Sequence, residues 1–317
     1  MDILKYEKSF QSQGYKNIVG IDEAGRGPLA GPVVAVALNW GDNEIIDGIR
    51  DSKKISEKKR LTLFKSITKQ AFDIGIGIVH ENDIDRINIL QSTYLAMRKA
   101  IGSLKVQPDL ILVDGNRADI KHVKQKNIIK GDSLSYSIAC ASIIAKVTRD
   151  LMMIQYSKIF PEYGFEKHKG YGTKFHIQMI QTFFSCPIHR KSFNPVSNHL
   201  PSLKYYDNQK LQVLGTQIAA SFMIKKGFNV ILFKDTYDLV VSDKKILVIL
   251  SVRILINKKT IDSKSPLNSI NFDQEIRNFL VALNLNHFKY FRIDSVDVVF
   301  LKEGPKINIK EGKLYES

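Results

Sequence analysis

Three carboxylates and a glycine-rich loop carry the chemistry this sequence offers. Asp22 and Glu23 end the apolar run Ile18-Val19-Gly20-Ile21, and Asp114 follows the apolar run Leu110-Ile111-Leu112-Val113. An acid at such a strand edge faces a cleft. If the two strands are neighbours, the three carboxylates converge within a few ångströms, and like charges so close do not all ionise without a cation. Mg²⁺ or Mn²⁺ suits hard oxygen ligands, and two such ions ~3.5 to 4 Å apart activate a water and stabilise the leaving oxygen of a phosphodiester. A single Asp after a strand is ordinarily a turn or cap residue, so it is the set of acids that points to metal. Beside them runs Gly25-Arg26-Gly27-Pro28-Leu29-Ala30-Gly31-Pro32, where glycine permits close backbone approach and Arg26 offers a forked donor to a sugar-phosphate.

The elements that must position these groups follow from hydrophobic patterning. Ile18–Asp22, Val33–Leu38, Ile74–Val79 and Leu110–Val113 read as strands. Asp83–Ser103 has helical spacing, and Asp132–Phe160 reads as one long helix studded with small residues, with Asp132 as its N-cap. Strands mixed with helices predict an α/β layer fold. The proline-bearing stretch Asn194–Pro201 is the clearest break, giving domains at 1–200 and 201–317. The second part reads as a helix from Leu203 to Lys226 closed by Gly227, and strands at Val230–Phe233, Tyr237–Val241 and Ile246–Val252. A helix around Phe272–Leu283 and strands at Tyr290–Ile293 and Val296–Leu301 complete a small α/β unit.

The 317 residues carry 47 Lys+Arg against 32 Asp+Glu, a formal net charge of +15, which favours polyanionic partners. With 44% hydrophobic and 25% charged residues the composition is globular and excludes wholesale disorder or a fibrous repeat. Cys140 and Cys186 lack the spacing of a zinc or redox motif, consistent with a reducing compartment. The N-terminal residues do not read as a secretory signal, and the longest apolar run, Ile246–Val252, is far below the ~20 residues of a membrane span. A cytoplasmic protein is expected.

The sequence resembles the type 2 ribonucleases H, and among them bacterial ribonuclease HII. The resemblance covers roughly residues 15–198 and is carried by Gly20–Gly27, Asp51-Ser52-Lys53-Lys54, Asp114-Gly115, Lys130-Gly131-Asp132, Ser137–Asp150, Lys169–Thr173 and Pro187–Phe193. It implies a ribonuclease H-like mixed sheet flanked by helices, with a four-carboxylate site of Asp22, Glu23, Asp114 and Asp132 holding two Mn²⁺ or Mg²⁺ ions. The implied activity is endonucleolytic cleavage of RNA/DNA hybrids, and of duplex DNA on the 5′ side of a single embedded ribonucleotide, leaving 3′-hydroxyl and 5′-phosphate ends. Repair of misincorporated ribonucleotides is the implied task, with no obligate protein partner.

The resemblance also implies that Gly25-Arg26-Gly27 reads the 2′-hydroxyl and that Tyr171 packs on the neighbouring deoxyribose; otherwise Tyr171 plugs its loop onto the core. Lys53, Lys54 and Lys146 are candidate phosphate contacts, and Asn88 is a candidate backbone contact. His168 and His189 read as structural, and Asp150 as a surface or local ion pair. Cys140 replaces the family's usual alanine and should be a buried small hydrophobe. Ribonuclease HIII and a non-catalytic hybrid-binding protein are the competing readings.

Residues 211–301 faintly resemble the restriction-endonuclease-like YraN family. Only Asp238 remains of that family's acids, and Ser251 stands where glutamate is expected, so this domain should be catalytically inactive. Asp238 and Arg253 otherwise read as an ion pair on adjacent strands.

Overall fold

A computed structural model describes the chain except residues 1, 50, 51, 53, 54, 116–119, 121–123, 234–238, 244, 257, 258, 262–284, 286, 302, 303 and 317. It divides into two compact units. One comprises residues 1–153, 167–182 and 188–199; the other comprises 154–166, 183–187 and 200–317.

The first unit is built on a five-stranded sheet of β1 (Ile18–Ala24), β2 (Val33–Asn39), β3 (Asp73–Val79), β4 (Leu110–Asp114) and β5 (Gln125–Ile128), in the order β3-β2-β1-β4-β5. β2 runs antiparallel to both β1 and β3, while β4 runs parallel to β1 and β5 parallel to β4. This is the mixed sheet flanked by helices that was expected. β1 and β2 are buried along most of their length, and both of their faces are covered. On one face Val19, Ile21, Val33, Ala35 and Ala37 pack with Ala96, Met97, Ala100 and Ile101 of α3 (Glu81–Gly102). On the other, Val36 and Leu38 pack with Leu63 and Ile67 of α2 (Glu57–Gln70) and Ala139, Cys140, Ile143 and Ile144 of α4 (Tyr136–Ile159). Cys140 is fully buried, and burial pushes its thiol well above the usual range. A Cβ on Gly20 would run into the backbone of Ser137 and Ile138, so this glycine lets α4 lie directly on the central strand.

The long helix starts later than the sequence suggests. Gly131–Ser133 form a separate 3₁₀ turn, and α4 begins only at Tyr136, so Asp132 is not its N-cap. Ser135 takes that task instead, its Oγ accepting from Ile138 N at 3.4 Å, and Glu7 of α1 (Lys5–Gln11) supports it: its Oε1 accepts from Ser135 Oγ at 2.6 Å, Ser137 Oγ at 2.7 Å and Ser137 N at 3.0 Å. The strand β5 and helices α1, α2, α5 (Phe165–His168) and α6 (Lys174–Phe183) were not read from the sequence.

The second unit holds a sheet in the order β11-β10-β8-β7-β6, with β9 and β12 paired to β8 and β10. Its strands are β6 (Asn229–Phe233), β7 (Leu239–Ser242), β8 (Ile246–Ile256), β9 (Lys259–Ile261), β10 (Tyr290–Leu301), β11 (Gly304–Lys310) and β12 (Leu314–Glu316). The helix α7 spans Asn208–Lys225, capped at its start by Asp207; Leu203–Tyr205 is a separate 3₁₀ turn. Gly227, at φ 93°, supplies the expected left-handed stop. The two strands expected between 290 and 301 are one, because β10 pairs with β8 over its whole length. Arg253 pairs with Asp297 of β10, at 2.7 and 3.0 Å. Asp238 and the expected helix at 272–283 lie outside the described residues. Among the described residues no helix is long and apolar enough to cross a membrane.

Candidate active site

Parallel pairing of β1 with β4 sets Ile21 opposite Val113, so one residue further on Asp22 and Asp114 end neighbouring strands side by side. Asp22 is only 6% exposed. Burial first, and then the charges of Glu23 and Asp114, push its carboxyl well above the usual carboxylate range, against hydrogen bonds from Ser142 and from the Glu23 N–H. Asp132 arrives by another route. The N–H of Gly131 donates to Asp114 Oδ1 at 2.6 Å, which ties the 3₁₀ turn carrying Asp132 to the end of β4. Among the described residues no three acidic, His or Cys side chains close to ligating range of one point. The charges that act on Asp22 are those of Glu23 and Asp114. A nine-tenths buried carboxyl held against two like charges, with oxygen as the only donor type, fits a hard divalent cation.

Ser142 is a partner that the sequence did not single out as such. It bonds Asp22 and, through Oγ, Ser52 at 2.9 Å, while Arg60 Nε donates to Ser52 O at 3.0 Å. Ser52 is thus held in place, while Lys53 and Lys54 lie outside the described residues.

The glycine-rich loop leaves β1 beside these acids. Gly25 is buried at φ 99°, while Arg26 and Gly27 are exposed, and Arg26 Nη1 stands 3.4 Å from Glu23 Oε1. Tyr171 is 43% exposed and lies next to Gly27, where an added Cβ would sit 3.9 Å from its ring. Lys146 Nζ and the Arg149 guanidinium stand 5.9 and 5.8 Å from the centre of that ring. Lys146 also bonds Asp150 at 2.6 Å, and burial lowers its ammonium pKa. Asp150 is itself buried and has Arg60 3.8 Å away, so it is an interior ion pair rather than a surface one. Asn88 sits at φ 65° in a kink of α3, with its Oδ1 accepting from Gln91 N at 3.1 Å. That places it as a local cap.

Two histidines hold the Tyr171 loop. His176 Nδ1 is 3.0 Å from Tyr171 O and its Nε2 is 3.0 Å from His189 Nε2. A carbonyl only accepts, so Nδ1 carries the proton, Nε2 accepts, and His189 donates. His168 stacks on His176 at 4.5 Å and accepts from Gly170 N. Burial lowers the His176 pKa from 6.5 to about 4. Between those values the unfolded chain binds a proton that the native chain refuses, so stability falls as pH drops from 6.5 toward 4, by as much as ~3 kcal/mol. Urea midpoints measured across that window should show this slope, and His176→Asn should lack it.

Comparison with known proteins adds the family. Residues 19–196 match the family model for Ribonuclease HII. The chain is 54% identical over 188 residues to the ribonuclease HII of Clostridioides difficile (strain 630), covering 59% of this chain and 74% of that relative. It is 53% identical over 197 residues to that of Bacillus pumilus (strain SAFR-032), covering 62% and 77%. Among solved structures it is similar to the ribonuclease H2 of Pyrococcus horikoshii OT3, with a TM-score of 0.49, 24% identity, and coverage of 57% of this chain and 96% of that one. The matched family residues end at 196, before the second sheet begins. With its acids at the ends of β1 and β4 and more than half its length matched, this chain belongs to the ribonuclease HII family and is a nuclease.

Proposed function

We propose that this chain is a metal-dependent endoribonuclease acting on RNA/DNA hybrids and on duplex DNA carrying a single ribonucleotide, cut on the 5′ side to leave 3′-hydroxyl and 5′-phosphate ends. The observation that carries this reading is the buried carboxyl of Asp22 held against Glu23 and Asp114 beside the Gly25-Arg26-Gly27 turn, which is exposed at Arg26 and Gly27. Asp22, Glu23, Asp114 and Asp132 would hold Mn²⁺ or Mg²⁺. Bound divalent cations supply Lewis acidity that activates water and stabilises the leaving oxygen. The chain's own residues bind and orient. The backbone of the 25–27 turn meets the 2′-hydroxyl, the only group that distinguishes ribose from deoxyribose. Tyr171 offers a sugar a ring of apolar area, and Lys146, Lys53 and Lys54 position phosphates without reading sequence.

Incision of an end-labelled duplex with one ribonucleotide, by the full chain with Mn²⁺ or Mg²⁺, tests the reading. One product ending 5′ to the ribonucleotide is expected, with no cutting of an all-DNA duplex or in EDTA. Equal cutting of both duplexes, or cutting that survives EDTA, contradicts it.

Residues 1–200 carry this activity, and 201–317 form a restriction-endonuclease-like unit that is catalytically inactive. Ser251 stands where a glutamate ligand would be needed, and the Asp297 carboxylate is taken up by Arg253. Asp238→Asn in the full chain should therefore leave incision within about twofold of the parent, since it removes no group that acts in the transition state; a loss of tenfold or more places chemistry there.

A further inference from the structure

Two guanidinium groups are buried beneath the 25–32 loop, Arg149 at 1% exposure and Arg190 at 0%, and both donate to backbone carbonyls. Arg190 donates through Nη1 to Arg26 O at 2.8 Å, through Nη2 to Gly25 O and Pro32 O, and through Nε to Gly31 O at 3.0 Å. Arg149 donates to Pro32 O at 2.9 Å, Ala30 O at 3.0 Å and Lys169 O at 2.9 Å, joining this loop to the one that carries Tyr171. Burying a charge is expensive even with Glu81 and Asp85 acting on Arg190 and Asp150 on Arg149, so a purely structural filler would be apolar.

The orientation of the loop shows what the charges achieve. In a trans peptide the C=O and the following N–H point in opposite directions. With the carbonyls of Gly25 and Arg26 turned inward onto Arg190, the N–H groups of Arg26 and Gly27 face outward. Both residues are exposed, and neither N–H donates a bond among the described residues. Two adjacent outward amides beside an acid cluster form a donor pair for an oxygen on the substrate.

We infer that Arg190 is a positioning residue for ribose discrimination: by drawing the carbonyls of Gly25 and Arg26 inward, it aims the amides of Arg26 and Gly27 at the 2′-hydroxyl. This rests on the proposed reading of the site. Lysine at 190 keeps the charge but not the planar fork that reaches several carbonyls at once.

The test compares the full chain with Arg190→Lys, using incision kinetics on a single-ribonucleotide duplex and affinity for an all-DNA duplex. For a folded variant KM should rise roughly ten- to a hundredfold, with kcat changed less and all-DNA affinity within about twofold. An unchanged KM, or an equal loss of affinity for both duplexes, overturns the inference. Should Arg190→Lys not fold, the amide resonances of Arg26 and Gly27 in the parent chain decide. Both should shift with the ribonucleotide duplex in EDTA and not with all-DNA; equal shifts overturn the inference. A parent chain without ribonucleotide preference defeats the functional reading itself, which separates the two failures.

Discussion

Asp22→Asn is expected to lower incision of a single-ribonucleotide duplex by at least roughly two to three orders of magnitude while leaving the chain folded. Asn keeps the shape of the side chain and an acceptor for the Glu23 N–H, so the end of β1 is preserved. What it removes is the charge at the centre of the acid pair contacts. The same charge is unfavourable in the metal-free chain, because it is 6% exposed and stands against Glu23 and Asp114. Urea unfolding in EDTA should therefore find Asp22→Asn at least as stable as the parent, while single-turnover incision collapses. Loss of activity with loss of stability would make Asp22 a structural residue, and activity within tenfold of the parent would remove it from the chemistry.

Gly25→Ala is expected to be the most damaging small substitution in the loop. The residue sits at φ 99°, and a Cβ there would collide with the Arg149 side chain and stand 2.6 Å from Pro32 O. The strained backbone costs about 1 to 2 kcal/mol and the overpacking about 1 to 3 kcal/mol more. Because the buried arginine is fixed by three carbonyls, the loop gives way first, and incision should fall together with the thermal midpoint. Gly27→Ala meets only the Tyr171 ring at 3.9 Å and should be much milder. A Gly25→Ala chain with parental stability and activity would show that the loop is not pinned.

The central strands and the acids at their ends were legible because apolar runs such as Ile18–Ile21 and Leu110–Val113 are continuous and end abruptly in carboxylates. β5 was not legible: Gln125-Lys126-Asn127 is a polar edge strand whose pairing with β4 decides its state. β11 escaped for the same reason, with alternate exposed Lys and Asn along an edge. The kink at Asn88 left the periodicity of α3 intact on either side, so one helix was read where the backbone breaks. Most consequential, Arg149 and Arg190 were read as motif residues without a role of their own. Arginine is ordinarily a surface residue, and only the folded chain shows carbonyls of the 25–32 loop gathered around each fork, joined at Arg149 by Lys169 O.

The central claim is that the acids on β1, β4 and the 131–133 turn hold divalent cations. A crystal of the full chain soaked in manganese, read by anomalous scattering, tests it most directly. Mn²⁺ density within ligating distance of Asp22 and Asp114, lost in Asp22→Asn crystals, is the predicted result. Crystals of active protein with no ion near those oxygens would contradict it.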